Sequence, residues 1–200
     1  MAQKKFLNKV YDVETRDEVE TLYDAWADSY DAELVENGYA TPGRVARAMA
    51  KTGCKEPVLD LGCGTGLSAE AMRAEGFQTI DGTDLSAGML DAARAKGVYR
   101  KLWVTDPDAP LPDGYATIAA VGVVSPGAGG PELLYAMAGA LSRGGRLAFS
   151  FNDHALADPA YTGHLNELLD TGAFRLLHAE KGDHIPEIGL NSTVYILEKT

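Results

Sequence analysis

One passage constrains this 200-residue chain more than any other: Val58-Leu59-Asp60-Leu61-Gly62-Cys63-Gly64-Thr65-Gly66, followed by Leu67-Ser68-Ala69-Glu70-Ala71-Met72-Arg73-Ala74. A brief apolar run that carries a β-branched residue and ends in glycines predicts a buried strand. The run after the glycines has the composition of a helix. A glycine-rich turn between a strand and a helix lets a ligand approach the backbone, with N–H donors aimed at it. The turn therefore predicts a small-molecule site, and the rest of the chain has to say which kind.

The flanking rhythm sets the fold. A helical pattern from 17 to about 34 places Val19, Leu22, Tyr23, Trp26 and Tyr30 at three- and four-residue spacings, with Tyr23, Trp26 and Tyr30 on one face. Asn37-Gly38 closes it, and Thr41-Pro42 opens a helix to about Thr52. Strands follow at 58–61, 78–83, 98–104, 115–124 and 146–151, with helices at 67–75, from a Ser86 cap to Gly97, at 131–141 and at 155–171. The last two strands, 174–180 and 192–199, have only a loop between them, which favours an antiparallel pair. Alternating strands and helices predict an α/β fold with a mostly parallel, seven-stranded, Rossmann-like sheet and helices on both faces. The expected partition is an N-terminal arm and helical lid over residues 1–53, its first fifteen or so residues without periodicity, and one domain over 54–200.

Charge narrows the partners. Eighteen basic against twenty-nine acidic side chains leave a net charge of −11, which disfavours a phosphate-tracking surface and hence nucleic acid. The two cysteines, Cys54 and Cys63, fit no metal or disulfide spacing. The N-terminal residues lack the apolar core of a signal peptide, and no apolar run is long enough to span a bilayer. A cytoplasmic enzyme with a small-molecule substrate, without metal or membrane, is expected.

The glycine spacing rules on the ligand. A dinucleotide turn wants Gly-x-Gly-x-x-Gly, but position 67 is Leu, and no Gly-Lys-Ser/Thr supports a P-loop. Here Asp60 precedes glycines at 62, 64 and 66. Backbone N–H groups there suit a carboxylate, and Asp60 at the strand end suits an ammonium, directly or through water. Asp84 ends the next strand about twenty residues on, where a carboxylate accepts from both ribose hydroxyls. Asp81 is the competing carboxylate, but it lies inside the strand. After the third strand come Asp106-Pro107 and Asp108, and the spacing leaves the choice between the two aspartates open. Val121-Gly122-Val123-Val124-Ser125 leaves the fourth strand at the expected switch point of the sheet. Of the histidines, only His154 follows a strand on the substrate side.

These pieces resemble class I S-adenosylmethionine-dependent methyltransferases. The turn is similar to that family's first motif, and Asp84-Leu85-Ser86-Ala87-Gly88-Met89-Leu90 is similar to its second. The resemblance implies S-adenosylmethionine as cofactor, held by Tyr30, Asp60, Gly62, Cys63, Gly64, Gly66, Asp84, Leu85, Met89, Asp106, Pro107, Val121 and Gly122. It assigns the amino-acid end to Asp60, the ribose to Asp84 and the adenine to Leu85, Met89 and one of Asp106 and Asp108. The aromatic helix resembles the lid of small-molecule methyltransferases, where a ring face suits a sulfonium. No Asn-Pro-Pro-Tyr signature of base-amine methyltransferases is present, and Tyr115-Ala116-Thr117 stands where an aspartate is common. Lys96-Gly97-Val98-Tyr99-Arg100-Lys101-Leu102 and Pro110-Leu111-Pro112 resemble in particular the Williams–Beuren-region group of methyltransferase-like proteins, which implies no acceptor. No catalytic side chain stands out, so a cofactor-binding sensor or regulatory subunit without turnover is the alternative expectation.

Overall fold

Seven strands make one sheet: β1 (Val58–Leu61), β2 (Ile80–Asp84), β3 (Lys101–Val104), β4 (Thr117–Ala120), β5 (Arg146–Asn152), β6 (Phe174–Ile185) and β7 (Leu190–Lys199). Their spatial order is β3-β2-β1-β4-β5-β7-β6. The first five pair in parallel, and β7 lies antiparallel between β5 and β6. The structure is a computed structural model and describes residues 15–200, so the expected arm falls outside the described residues except for Thr15. The helices are α1 (Arg16–Trp26), α2 (Tyr30–Glu36), α3 (Thr41–Thr52), α4 (Leu67–Ala74), α5 (Ala87–Lys96), α6 (Leu133–Ala140), α7 (Asp153–Ala157) and α8 (Pro159–Asp170).

The central strands β1 and β4 are buried at every residue, because helices cover both faces of the sheet. On one face Leu59, Ile118, Leu147 and Phe149 pack against Leu134 and Met137 of α6 and Leu165 of α8. On the other, Val58, Ala119 and Ile196 pack against Val45 and Met49 of α3 and Met72 of α4. Full burial of such side chains stabilises by roughly 1.5–3 kcal/mol each. A third cluster joins the N-terminal helices to the sheet: Trp26 and Leu34 close over Met89 and Ile185.

Several expected elements change at particular residues. The helix expected from 17 to 34 breaks at 27–29, and Trp26 Nε1 donates across the break to Glu33 Oε2 at 3.0 Å. The helix expected from 155 to 171 divides at Asp158, whose extended backbone (φ −95°, ψ 116°) is imposed by the proline that follows. Strand β4 stops at Ala120, before Gly122 turns the chain with φ +74°. The closing hairpin is longer than expected, because β6 and β7 run on until only a 3-10 turn at Pro186–Ile188 and Gly189 separates them.

Candidate active site

Strand order reverses between β1 and β4, and the chain leaves these neighbours toward opposite sides, opening a crevice at their carboxyl ends. The β1–α4 turn lies at its mouth. Gly62, Gly64 and Gly66 have φ of +67°, +52° and +95°, where L side chains are strained. Neighbours constrain two of them further. A Cβ on Gly62 would lie 2.5 Å from Val123 Cγ2, and one on Gly66 would lie 3.1 Å from Tyr99 Cε2. A Cβ on Gly64 would meet nothing within 4 Å, so the backbone is bare on that side. The turn is anchored to β2: Gly62 and Cys63 N–H donate to the Thr83 carbonyl at 2.8 and 3.0 Å, and Gly64 N–H donates to Asp84 Oδ2 at 2.8 Å.

Asp84 is thereby tied into the turn. Its Oδ1 accepts from Ser86 N–H at 2.9 Å. Burial raises its carboxyl pKa against the opposing pull of the Ser86, Gly64 and Leu85 amides, with Asp24 adding to the rise. The competing Asp81 is committed elsewhere. Arg100 holds both its oxygens at 2.8 and 2.6 Å and Tyr115 donates to it at 2.8 Å. Burial pushes this carboxyl up, but these donors outweigh burial and lower it.

A cavity of about 600 Å³ opens beyond the turn. Among the expected site residues, Tyr30, Gly62, Gly64, Asp84, Leu85, Asp106, Pro107, Val121 and Gly122 line it. Asp106 faces it and Asp108 does not; the Asp108 N–H donates to Asp106 Oδ1 at 3.0 Å instead. Asp60, Cys63, Gly66 and Met89 stand behind its wall. Cys63 lines a recess of about 20 Å³ beside the turn, with Tyr30, Tyr39, Thr65 and Ser68. Gly66 starts α4, and Met89 is fully buried under Trp26. Asp60 is fully buried too: its Oδ2 accepts from Ser68 at 2.5 Å and from Tyr99 at 2.7 Å, while Oδ1 has no partner among the described residues. Burial pushes its carboxyl up to about 6 against these two donors, with Asp84 adding to the rise.

The N-terminal helices form the roof. Tyr30 packs edge-on against Trp26 with ring centroids 4.6 Å apart, and burial holds its phenol well above the usual range, so it stays a donor. Two aspartates fasten the roof to the loops below. Asp24 accepts from the Ser86 hydroxyl and from Gly88 N–H at 3.1 Å. Asp31 accepts from the Thr65 hydroxyl and pairs with Lys96 at 2.7 Å.

The far half of the cavity is lined by residues without a motif signal: Glu20, glycines 127, 129 and 130, Glu132, Leu133 and Tyr161. Glycines 129 and 130 before Pro131 were the one readable hint of a close-packed wall there. Burial pushes the Tyr161 phenol up to about 12, with Asp158 and Glu132 adding to the rise. Glu20, Asp84, Asp106 and Glu132 are the charged residues of the lining, which has no Lys, Arg or His among the described residues. His154 is exposed on α7 and lies outside it. Among the described residues no His/Cys/Asp/Glu group suits a metal ion, and no helix is long and apolar enough to cross a membrane.

Residues 58–145 match a family model described as a methyltransferase domain. The match covers less than half of the chain, and the sheet order is that of the Rossmann-like methyltransferase fold. The chain is similar to Methyltransferase-like protein 27 of Homo sapiens, with 37% identity over 108 residues, or 52% of this chain. The match spans 44% of that relative, less than half its length. The magnesium protoporphyrin IX methyltransferase of Synechocystis PCC 6803, solved with bound S-adenosylhomocysteine, shares the fold at a TM-score of 0.66 and 18% identity, covering 92% of this chain and 97% of that one. A TehB-like methyltransferase from Corynebacterium glutamicum gives a TM-score of 0.60 at 23% identity, covering 93% of this chain and 100% of that one.

The site's own chemistry fits S-adenosylmethionine, the cofactor of such methyltransferases. Among the described residues, the bare side of Gly64, the unpartnered Asp60 oxygen just behind the turn and a lining with carboxylates but no cation suit a ligand that carries an ammonium and a sulfonium.

Proposed function

We propose that this protein transfers a methyl group from S-adenosylmethionine to a small, uncharged or cationic acceptor. The observation that carries this is the convergence of the glycine turn and the Asp84 carboxylate on one cavity that continues past the switch point of the sheet. When bound, the cofactor supplies an electrophilic methyl group for in-line displacement.

The chain's own part is to bind, orient and exclude water. Asp84, preset by two backbone amides, accepts from the ribose hydroxyls. Leu85, Asp106 and Pro107 flank the adenine, and the bare face of Gly64 meets the amino-acid end. The described part of residues 1–53 acts as the roof and residues 54–200 as the floor, with Tyr23 and Tyr30 closing water out over the reacting centre. Positioning and dehydration carry much of such a displacement. An acceptor that must lose a proton finds Glu20, Glu132 and tyrosines in the far half, and no histidine. The four carboxylates that line the cavity among the described residues, in a chain of net charge −11, repel carboxylate and phosphate acceptors.

Calorimetric titration with S-adenosylhomocysteine tests the reading. Micromolar binding by the wild type, weakened at least tenfold by Asp84→Ala, is expected. The reading fails if the wild type does not bind or if Asp84→Ala binds equally well. Tight binding without transfer of labelled methyl to amines, alcohols or thiols would favour a sensor over an enzyme, and the lack of a histidine in the cavity is the observation on that side.

A further inference from the structure

Tyr99 lies between α5 and β3, outside both cavity and recess. Its ring fills the space above two glycines. A Cβ on Gly82 would lie 2.8 Å from its Cε1, and one on Gly66 would lie 3.1 Å from its Cε2. Its hydroxyl then reaches under the turn to Asp60 Oδ2 at 2.7 Å. Ser68, from the first turn of α4, donates to that same oxygen at 2.5 Å and also lines the recess beside Gly64.

Two donors thus converge on one carboxylate oxygen while the other, fully buried, has none among the described residues. That asymmetry is informative. A carboxylate kept only to brace the turn would distribute its donors over both oxygens, because a bare buried lone pair costs about 1–3 kcal/mol or more for a charged group. With Oδ2 occupied by two hydroxyls, a proton on this group would sit on Oδ1, where no acceptor meets it. The arrangement is complete only when a donor reaches Oδ1, and a cationic donor suits it best.

We propose that Tyr99, together with Ser68, is a positioning residue for the cofactor: it saturates Asp60 Oδ2 so that Oδ1 is left to the ammonium of the amino-acid end. The inference rests on the function proposed above. It concerns how the carboxylate is aimed, and Tyr99 itself touches no ligand. The groups that face Asp60 are Ser68 of α4, Tyr99, Asp84 at the end of β2 and the Cys63 thiol of the turn. Burial raises the Asp60 pKa most, and Asp84 adds to it, whereas Ser68 and Tyr99 hold it down. Removing the Tyr99 hydroxyl therefore raises it further, so ionisation is lost at a higher pH.

The test is Tyr99→Phe, which keeps the ring over Gly66 and Gly82 and removes only the hydroxyl. Two probes are titrated calorimetrically: S-adenosylhomocysteine, and 5′-methylthioadenosine, which has the adenosine half without the amino-acid end. The expected result is about tenfold weaker S-adenosylhomocysteine binding, the loss of one charge-assisted bond, with methylthioadenosine changed by less than twofold. The acid limb of S-adenosylhomocysteine binding should also move to higher pH. Equal weakening of both probes would show that Tyr99 only braces the turn, and no change in either would remove it from the site; both outcomes overturn the proposal. Ser68→Ala gives the same contrast if Tyr99→Phe folds poorly. A wild type that binds neither probe sinks the function proposed above, which is a separate result.

Discussion

Gly62 and Gly64 sit two residues apart with similar backbone angles, yet their surroundings assign them different work. At Gly62 a side chain would collide with Val123, so this glycine is required for the turn to seat against the β4 loop. At Gly64 a methyl group would meet nothing within 4 Å, on the side proposed to face the ligand. Gly62→Ala should therefore lose about 2–4 kcal/mol from overpacking and left-handed strain together, read as a lower urea midpoint. Gly64→Ala should lose only the strain, about 1–2 kcal/mol, and stay folded, while its affinity for S-adenosylhomocysteine falls at least tenfold. If Gly64→Ala binds as well as wild type, the bare side of the turn does not face the ligand. Sequence alone made these glycines equivalent members of one pattern. Their difference lies in Val123, which is distant along the chain and close only once β1 and β4 are paired.

At the scale of elements, the roof is attached by polar contacts at its edges as well as by its aromatic face. Periodicity exposed that face, because Tyr23, Trp26 and Tyr30 recur at helical spacing. It did not expose the break at 27–29, which depends on the Trp26–Glu33 bond across it. Nor did it give work to Asp24 and Asp31. In the fold, Asp24 caps the start of α5 from another helix, through Gly88 N–H and the Ser86 hydroxyl. Strands and helices buried on both sides were legible because burial writes itself into composition. The far wall of the cavity was not, since Glu20, Glu132 and Tyr161 are brought together only by tertiary packing. Asp24→Ala should cost about 1 kcal/mol, as loss of a helix cap does. More specifically, amides of α1 should exchange faster while those of β4 do not, since α1 would detach without global unfolding. The same variant should release S-adenosylhomocysteine several-fold faster. Uniformly faster exchange across the sheet would instead mean that the roof and the core unfold as one.

For the whole molecule, two buried ionisable groups act in opposite directions over one pH range. His184 is buried behind α3, where it shares a 2.7 Å hydrogen bond with Thr41 Oγ1 and meets Tyr39 edge-on. Burial, then Arg44, lowers its pKa from 6.5 to about 4, with His154 acting the same way and Asp153 opposing. Its folded pKa is depressed, so its contribution to stability is full above pH 6.5 and is lost as pH falls toward 4. At ~1.4 kcal/mol per unit the loss is at most about 3 kcal/mol. Asp60 has the reverse sign. Its folded pKa is raised from 3.8 to about 6, so its contribution is full below 3.8 and disappears as pH rises through about 6. In the ligand-free protein the two slopes offset each other, and the wild type should show a shallow acid limb. His184→Phe keeps the edge-on contact with Tyr39, and Thr41 keeps Ser192 as a partner at 3.0 Å. Urea unfolding from pH 7 to 4 should then show this variant gaining stability relative to wild type by up to about 3 kcal/mol. Parallel profiles would show that His184 takes up a proton in the folded state. Saturating S-adenosylhomocysteine should change the balance, because the ammonium proposed to meet Asp60 would hold the carboxylate ionised. The ligand's stabilisation, which grows as RT ln(1 + [L]/Kd), should then shrink as pH falls below 6, steepening the acid limb of the complex where that of the free protein is shallow.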